Sequence, residues 1–367
     1  MPRIVLFGAT GYTGDLTARE MVRRGLTPVL AARNPDRLTA LADELGGLAT
    51  QTADVGDPAS VRALVERGDV LVSTVGPFLR WGAPAIEAAI GAGAHYLDST
   101  GEGAFIRRVF EDYGPRAARA DIGLLTAMGY DWVPGNLAGA LALQAAGPEA
   151  RSVDIAYFTT GGSQTGGMSG GTRASAVGMA VEPGYTFRGG RVVTERGAAR
   201  VASFELAPGR TTPAVSVGSS EQFTLPRLRP ELLEVDTYLG WFGPASRPLQ
   251  AFSAVSSLVT KVPGVKSGIQ AVAGRLVKGS TGGPDAAARE PSGSLVLARV
   301  RDAGGRDLAQ VRVEGPNGYD LTADFLAWGA ETALAGGLQG TGALGPVDGF
   351  GLDALEAAAA SYGLRRG

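Results

Sequence analysis

Apolar residues in the first third of the chain come in short blocks, each followed by a stretch with apolar positions at helical spacing. The blocks Arg3–Phe7, Thr27–Ala32, Leu48–Ala53 and Val70–Val75, a short one beginning at His95, and Ile122–Ala127 predict six strands. The intervening pattern predicts helices over Thr13–Arg24 and Pro35–Leu45, from about Pro58, over Ala83–Ile90, and from Pro134, a residue suited to the first position of a helix. Strand and helix alternating across short connections predict an α/β fold with a doubly wound parallel sheet.

The pattern changes after about residue 150. Ser152–Thr160 predicts a strand, and Gly161–Gly171 a glycine-rich loop leading to a helix that starts near Thr172. Extended segments follow at 191–194, 201–206, 213–218 and 234–239, and Gly293–Arg301 with Asp307–Glu314 predicts a hairpin across Asp302-Ala-Gly-Gly-Arg306. This is the signature of an α+β second domain with a mixed or antiparallel sheet. Two weakly amphipathic helices are expected within 244–278, split at Pro263-Gly264, and terminal helices over Leu321–Leu334 and Leu352–Tyr362. No internal repeat is present.

The first strand runs into Gly8-Ala-Thr10-Gly11-Tyr12-Thr13-Gly14, which then opens a helix. A helix start offers backbone N–H groups and the positive end of the helix dipole to an anion. Glycines serve where the chain turns, where a pyrophosphate approaches the backbone, and where helix meets strand. The spacing G-x-x-G-x-x-G in this setting predicts a dinucleotide cradle built from Gly8, Thr10, Gly11, Tyr12, Thr13 and Gly14. A site for NAD places a carboxylate at the end of the second strand, on the ribose 2′-hydroxyl. Here Arg33 stands there, followed by Asn34, and a guanidinium suits a 2′-phosphate. Asp36, just beyond, reads as a first-turn acid. The expected cofactor is NADP, with Asp54 after the third strand and Val75, Gly76, Pro77 and Phe78 after the fourth completing its site.

Composition narrows the chemistry. With 19% charged residues and a net charge of −2 over 367 residues, no nucleic-acid partner is expected. Cysteine is absent and His95 is the single histidine, which excludes thiol nucleophiles and disulfides and leaves no ordinary zinc site. No run of about eighteen apolar residues offers a transmembrane segment, and the N-terminus is strand and loop, not a signal peptide. A soluble, cytoplasmic protein is expected. The 56 glycines imply many tight turns, because 44% of the chain is hydrophobic.

With those motifs placed, the chain resembles the saccharopine dehydrogenase-like reductases, especially the bacterial branch known as trans-acting enoyl reductases. The resemblance rests on GATGYTG (8–14), AARN (31–34), STVGPF (73–78), HYLDSTGE (95–102) and GYDWVPGN (129–136), and further on SGGTRAS (169–175), GPNGYDLTA (315–323) and GPVDGFG (345–351). Where the family often has Ser and Asp in a GFDSxPSD block, this chain has Trp132 and Asn136. The resemblance implies an NADP-binding Rossmann domain, a middle domain that closes over substrate, and a C-terminal segment returning to the first domain. The expected boundaries are 1–135, 136–320 and 321–367. It also implies reduction of a C=C or C=N bond conjugated to a polar group.

The only lysines are Lys261, Lys266 and Lys278, so the Tyr-x-x-x-Lys pair of short-chain dehydrogenases is missing and Schiff-base chemistry is excluded from the first domain. Protonation then falls to a carboxyl, hydroxyl or imidazole. Ligands of such sheets bind beyond the C-terminal strand ends, which singles out Asp98 and Glu102 after the fifth strand and Tyr130 and Asp131 after the sixth. Tyr130 is the first choice, as proton donor or carbonyl polariser; Asp98, His95 and Asp131 are the other catalytic candidates. Each also has a plainer role: helix cap, exposed first-turn acid, packed histidine, or turn former. Ser169, Thr172 and Arg173, at a glycine-rich helix start, are expected to hold a substrate carboxylate or carbonyl. The helices of 244–278 suit a pocket lid, a homodimer contact or a membrane-surface contact, against core packing as the default. The leading function is NADPH-dependent reduction of a conjugated C=C in a small-molecule or acyl substrate of the enoyl type. A cyclic-imine or imino-acid reductase and a non-catalytic NADP-binding sensor are the alternatives.

Overall fold

The computed structural model describes residues 1–161, 183–259 and 282–367. It divides into two compact units. The first comprises Met1–Gly101, Phe105–Val133 and Gly318–Tyr362; the second comprises Glu102–Ala104, Pro134–Asn317 and Gly363–Gly367.

The first unit holds β1 (Ile4–Phe7), α1 (Tyr12–Arg23), β2 (Val29–Ala32), α2 (Pro35–Glu44), β3 (Thr50–Thr52), α3 (Pro58–Arg62), β4 (Val70–Ser73), α4 (Phe78–Trp81), α5 (Ala83–Ala92) and β5 (His95–Asp98). Most of α6 (Gly103–Arg108), then α7 (Gly114–Arg119) and β6 (Gly123–Leu125) follow. The sheet is parallel throughout, in the order β6-β5-β4-β1-β2-β3 with a seventh strand from later in the chain beside β6. The four residues of β1, of β2 and of β4 are all buried, as the uninterrupted apolar blocks require of a sheet covered on both faces. Asn34 caps α2 by accepting from the Arg37 N–H at 2.9 Å, with Pro35 in the first helical position. The strands are shorter than their apolar blocks: β3 keeps only Thr50–Thr52, β4 stops at Ser73 and β6 at Leu125.

The seventh strand, β15 (Gly342–Ala343), comes from the C-terminal part of the chain and lies beside β6. It was not anticipated, since two residues have no periodicity to detect. A long helix, numbered here after those of the second unit as α12 (Gly318–Leu334), packs on α1 with Leu321, Phe325 and Leu326 fully buried. Two further helices, α13 (Pro346–Phe350) and α14 (Leu352–Ser361), belong to the same unit.

The second unit is α+β. Its strands are β7 (Ser152–Gly161), β8 (Gly184–Arg188), β9 (Arg191–Glu195), β10 (Val201–Ala207), β11 (Arg210–Val217), β12 (Glu234–Leu239), β13 (Ser292–Arg301), β14 (Asp307–Gly315) and β16 (Arg365–Arg366). The main order is β10-β11-β12-β7-β13-β14-β16, and β8 pairs with β12 and β9. The β12–β7 pair is parallel and the others antiparallel, so the sheet is mixed. On one face Phe158, Phe204, Tyr238, Leu295 and Leu297 form a buried cluster. The opposite face receives α8 (Val133–Ala146) and α9 (Glu221–Leu228), which approach so closely that a methyl group on Gly139 would lie 2.7 Å from Leu225 and 3.1 Å from Ile155. Helices α10 (Ser246–Val259) and α11 (Ala286–Arg289) also belong to this unit. The helix expected from Thr172, and the part of 244–278 beyond residue 259, lie outside the described residues. No helix among the described residues is long and apolar enough to cross a membrane.

Candidate active site in the first unit

A parallel sheet gathers all its strand ends on one edge. The chain leaves β1 toward β2 and β3 on one side and places β4, β5 and β6 on the other, so the order reverses between β1 and β4. Crevices of this kind are where such sheets bind ligands. Gly8 and Thr74 meet there: the Thr74 N–H donates to the Phe7 carbonyl at 2.9 Å and its hydroxyl to the Gly8 carbonyl at 3.2 Å.

The glycine turn is built for close approach. Gly8 has φ +94°, and a methyl group on it would lie 2.6 Å from Thr74 Oγ1. One on Gly14 would lie 2.1 Å from the Gly8 carbonyl oxygen, so this glycine lets α1 close onto the strand. Gly11 precedes α1 with no side-chain cap, and the nearest atom to a methyl group there is Gly8 O at 3.2 Å. The first-turn N–H groups of a helix have no acceptor within the helix, and with no capping side chain they face whatever occupies the turn. This geometry fits a diphosphate.

Beyond β2, Arg33 is exposed and Asn34 is occupied in capping α2. Arg37, not singled out from the sequence, donates from Nη2 to the Thr10 carbonyl at 3.3 Å, so a second guanidinium lies across the glycine turn. The only sequence signal is its place in the first turn of α2, close after the end of β2. Asp54 accepts from the Gly56 N–H at 2.7 Å, its own N–H donating to Ser60 Oγ at 3.0 Å, and so shapes the turn into α3. After β4 the chain runs through Val75 and Gly76 to Pro77, which precedes α4; Phe78 is buried against Phe105, ring centres 5.7 Å apart.

Asp98, Tyr130 and Asp131 lie beyond or at the C-terminal ends of β5 and β6, whereas His95 does not. Asp98, at the C-terminal end of β5, is fully buried. It accepts from the Thr100 and Ala127 N–H groups, each at 2.9 Å, and from Thr126 Oγ1 at 2.9 Å. Burial pushes its carboxyl up to about 6 against the pull of those donors. It braces the loop after β5 to the loop after β6. In the latter, Tyr130 is buried, its N–H donates to Thr322 Oγ1 at 3.0 Å, and its ring lies against Gly318, where a methyl group would be 2.8 Å away. Asp131 lies over Gly101, 3.2 Å from where a methyl group would stand.

His95 lies at the other end of its strand. It starts β5, paired with Val70 at the start of β4, and so sits about 10 Å from Asp98 at the opposite sheet edge. Its Nδ1 accepts from the Gly123 N–H at 3.0 Å, and burial holds its pKa below the ordinary value. Both effects suit a neutral packing residue rather than an acid. Glu102 falls in the second unit. Ser169, Thr172 and Arg173 lie outside the described residues. Among the described residues no cluster of three or more histidine, cysteine, aspartate or glutamate side chains is arranged to hold a metal.

Residues 4–122 match the model of the saccharopine dehydrogenase NADP-binding domain family. The matched stretch, 119 of 367 residues, is about a third of the chain. The NADP-binding domain contains the glycine turn, Arg33, Arg37 and Asp98. A trans-acting enoyl reductase of Mycobacterium ulcerans is 39% identical over 140 residues, which is 36% of this chain and 34% of that protein. A putative trans-acting enoyl reductase of Mycobacterium tuberculosis is 37% identical over 178 residues, 47% of this chain and 42% of that protein. The aligned region thus spans less than half the length of either relative. The apo histidine-tagged saccharopine dehydrogenase (L-Glu forming) of Saccharomyces cerevisiae is alike in fold, with a TM-score of 0.63 and 13% identity over 100% of this chain and 99% of that one.

The two guanidiniums give a direct test of how the NADP-binding domain selects its cofactor. Arg33→Ala is expected to weaken NADPH binding by about tenfold to a hundredfold and to leave NADH binding nearly unchanged, with Arg37→Ala acting in the same direction. Titration of cofactor fluorescence measures both. Equal affinity of the native protein for NADH and NADPH would contradict this assignment.

Proposed function

We propose that the protein is an NADPH-dependent reductase of a conjugated C=C bond in an acyl-type substrate. The observation that carries this reading is the NADP-binding domain, combined with 37–39% identity to trans-acting enoyl reductases. NADPH supplies a hydride. The glycine turn and the start of α1 hold its diphosphate, Arg33 and Arg37 its 2′-phosphate, and the Val75–Phe78 loop the nicotinamide end of the crevice. Tyr130 polarises the substrate carbonyl or delivers the proton, since a phenol can do either while neutral at pH 7. Asp98, whose oxygens accept from Thr100, Thr126 and Ala127, fixes the loop that carries Tyr130. Asp131, in the same loop, is the second candidate for proton transfer.

The test is oxidation of NADPH by the purified protein, offered an enoyl thioester or a cyclic imine. Oxidation is expected with the thioester. Oxidation with the imine alone would move the reading to C=N reduction. Tight NADPH binding without turnover of either would favour an NADP-binding sensor.

A further inference from the structure

The second unit encloses a carboxyl group that the proposed reaction does not use. Glu221, the first residue of α9, is fully buried, and among the described residues no cation pairs with it. Tyr157 of β7, also fully buried, donates from Oη to Glu221 Oε1 at 2.6 Å. The same Oη accepts from the Gly135 N–H, in the first turn of α8, at 2.8 Å. A methyl group on Gly135 would lie 2.0 Å from Tyr157 Oη and 2.3 Å from Glu221 Oε1, so α8 closes directly on the pair. The next residue is tied as well: Asn136 Nδ2 donates to Ser220 Oγ at 2.9 Å, and Thr224 Oγ1 donates to Asn136 Oδ1. Ser219 Oγ continues the network to Gln222 Oε1 at 2.7 Å and Thr237 Oγ1 at 2.9 Å.

Gly135 and Asn136 lie in the first turn of α8, directly after the loop that begins at Gly129 and carries Tyr130 and Asp131. We propose that Tyr157 and Glu221 are positioning residues for the reductase reaction: they pin the start of α8 and thereby the C-terminal end of that loop. The inference rests on the role given above to Tyr130. Tyr157 is the central link, because one hydroxyl both satisfies a buried N–H and bonds the carboxyl. Its removal leaves the Gly135 donor without that acceptor in a dry site, where an unmet polar group is costly.

The pair also makes the hold depend on pH. Burial raises the Glu221 carboxyl from its ordinary 4.5 to about 7, against hydrogen bonds from Tyr157, Ser219 and Ser220. Around it, β7 presents Tyr157, α8 presents Gly135 and Asn136, β12 presents Thr237, and α9 presents Gln222 and Thr224; of these only Tyr157 titrates. A carboxyl that keeps its proton more tightly in the closed site than in an open one favours closure at low pH. The hold is full below about 4.5, weakens as pH rises, and levels off above about 7.

Hydrogen exchange on the full chain with NADPH bound reads this directly. Corrected for intrinsic rates, protection of the Gly135 and Asn136 amides is expected to fall about tenfold between pH 5 and pH 7. It should stay level in Glu221→Gln and be low at every pH in Tyr157→Phe. With an enoyl thioester, kcat of the native protein should decline through pH 7, and Glu221→Gln should lose that decline while NADPH affinity is kept. A pH profile unchanged by Glu221→Gln, or protection lost in Tyr157→Phe with kcat intact, overturns the positioning role. If Tyr157→Phe does not fold, Glu221→Gln alone decides. Absence of turnover by the native protein is a separate result, which refutes the reductase reading and this inference with it.

Discussion

Tyr130→Phe is expected to lower turnover of an enoyl thioester by about a hundredfold while NADPH affinity stays unchanged. The substitution removes one oxygen and little else. The loop is held through the Tyr130 backbone N–H on Thr322 Oγ1 and through the ring face against Gly318, and phenylalanine keeps both. A loss confined to kcat would therefore report on the hydroxyl and not on folding. Asp98→Asn supplies the contrast. It disturbs a buried carboxyl that accepts from Thr100, Thr126 and Ala127, so melting temperature and activity should fall together. Full activity in Tyr130→Phe would remove this residue from the chemistry and leave Asp131 as the candidate.

Gly14→Ala is expected to damage stability and cofactor binding at once. The added carbon would lie 2.1 Å from the Gly8 carbonyl oxygen, 2.8 Å from the Gly8 carbonyl carbon and 2.9 Å from Ala9 Cα. All three are backbone atoms of the cradle, and no side chain can rotate away to relieve the overlap. Either α1 or the turn must move, at a cost of about 1–3 kcal/mol or more. Both carry the groups that face the diphosphate. Thermal melting should drop by about 5 °C or more, and the extra stabilisation that NADPH gives the native protein should largely vanish. Gly11→Ala is the control, since its nearest contact is 3.2 Å and its φ of −81° suits any residue. Equal damage from the two substitutions would contradict this account of the cradle.

The sequence by itself determined most of the first unit. Uninterrupted apolar blocks such as Ile4–Phe7 and Val70–Ser73 have few alternatives to a buried parallel strand, and a glycine turn between β1 and α1 has a local geometry that few ligands other than a diphosphate suit. The place of Arg33 just beyond β2 was legible for the same reason, because it is fixed by the end of its own strand. In the second unit the hairpin β13–β14 was legible from its alternation and its Asp-Ala-Gly-Gly-Arg turn. Two-residue strands such as β15 and β16 were not, since they exist only through the neighbour they pair with.

Tertiary structure decided what the side chains near those elements can do. His95 and Asp98 sit in one short motif, yet strand direction puts only Asp98 at the C-terminal strand edge, where Thr100, Thr126 and Ala127 donate to its carboxyl. Arg37 reaches Thr10 only because of the way α2 packs beside the glycine turn. Glu221 carries no sequence signal at all: Ser219-Ser220-Glu221 has the look of an ordinary polar helix start. Burial pushes its carboxyl up, against hydrogen bonds from Tyr157 and Ser220, and that burial is made in part by Tyr157 of β7 and Gly135 of α8, which come from far along the chain. Local sequence fixes backbone form through short-range sterics and hydrophobic period, whereas the electrostatic character of a group depends on solvent and on neighbours that only the folded chain brings together.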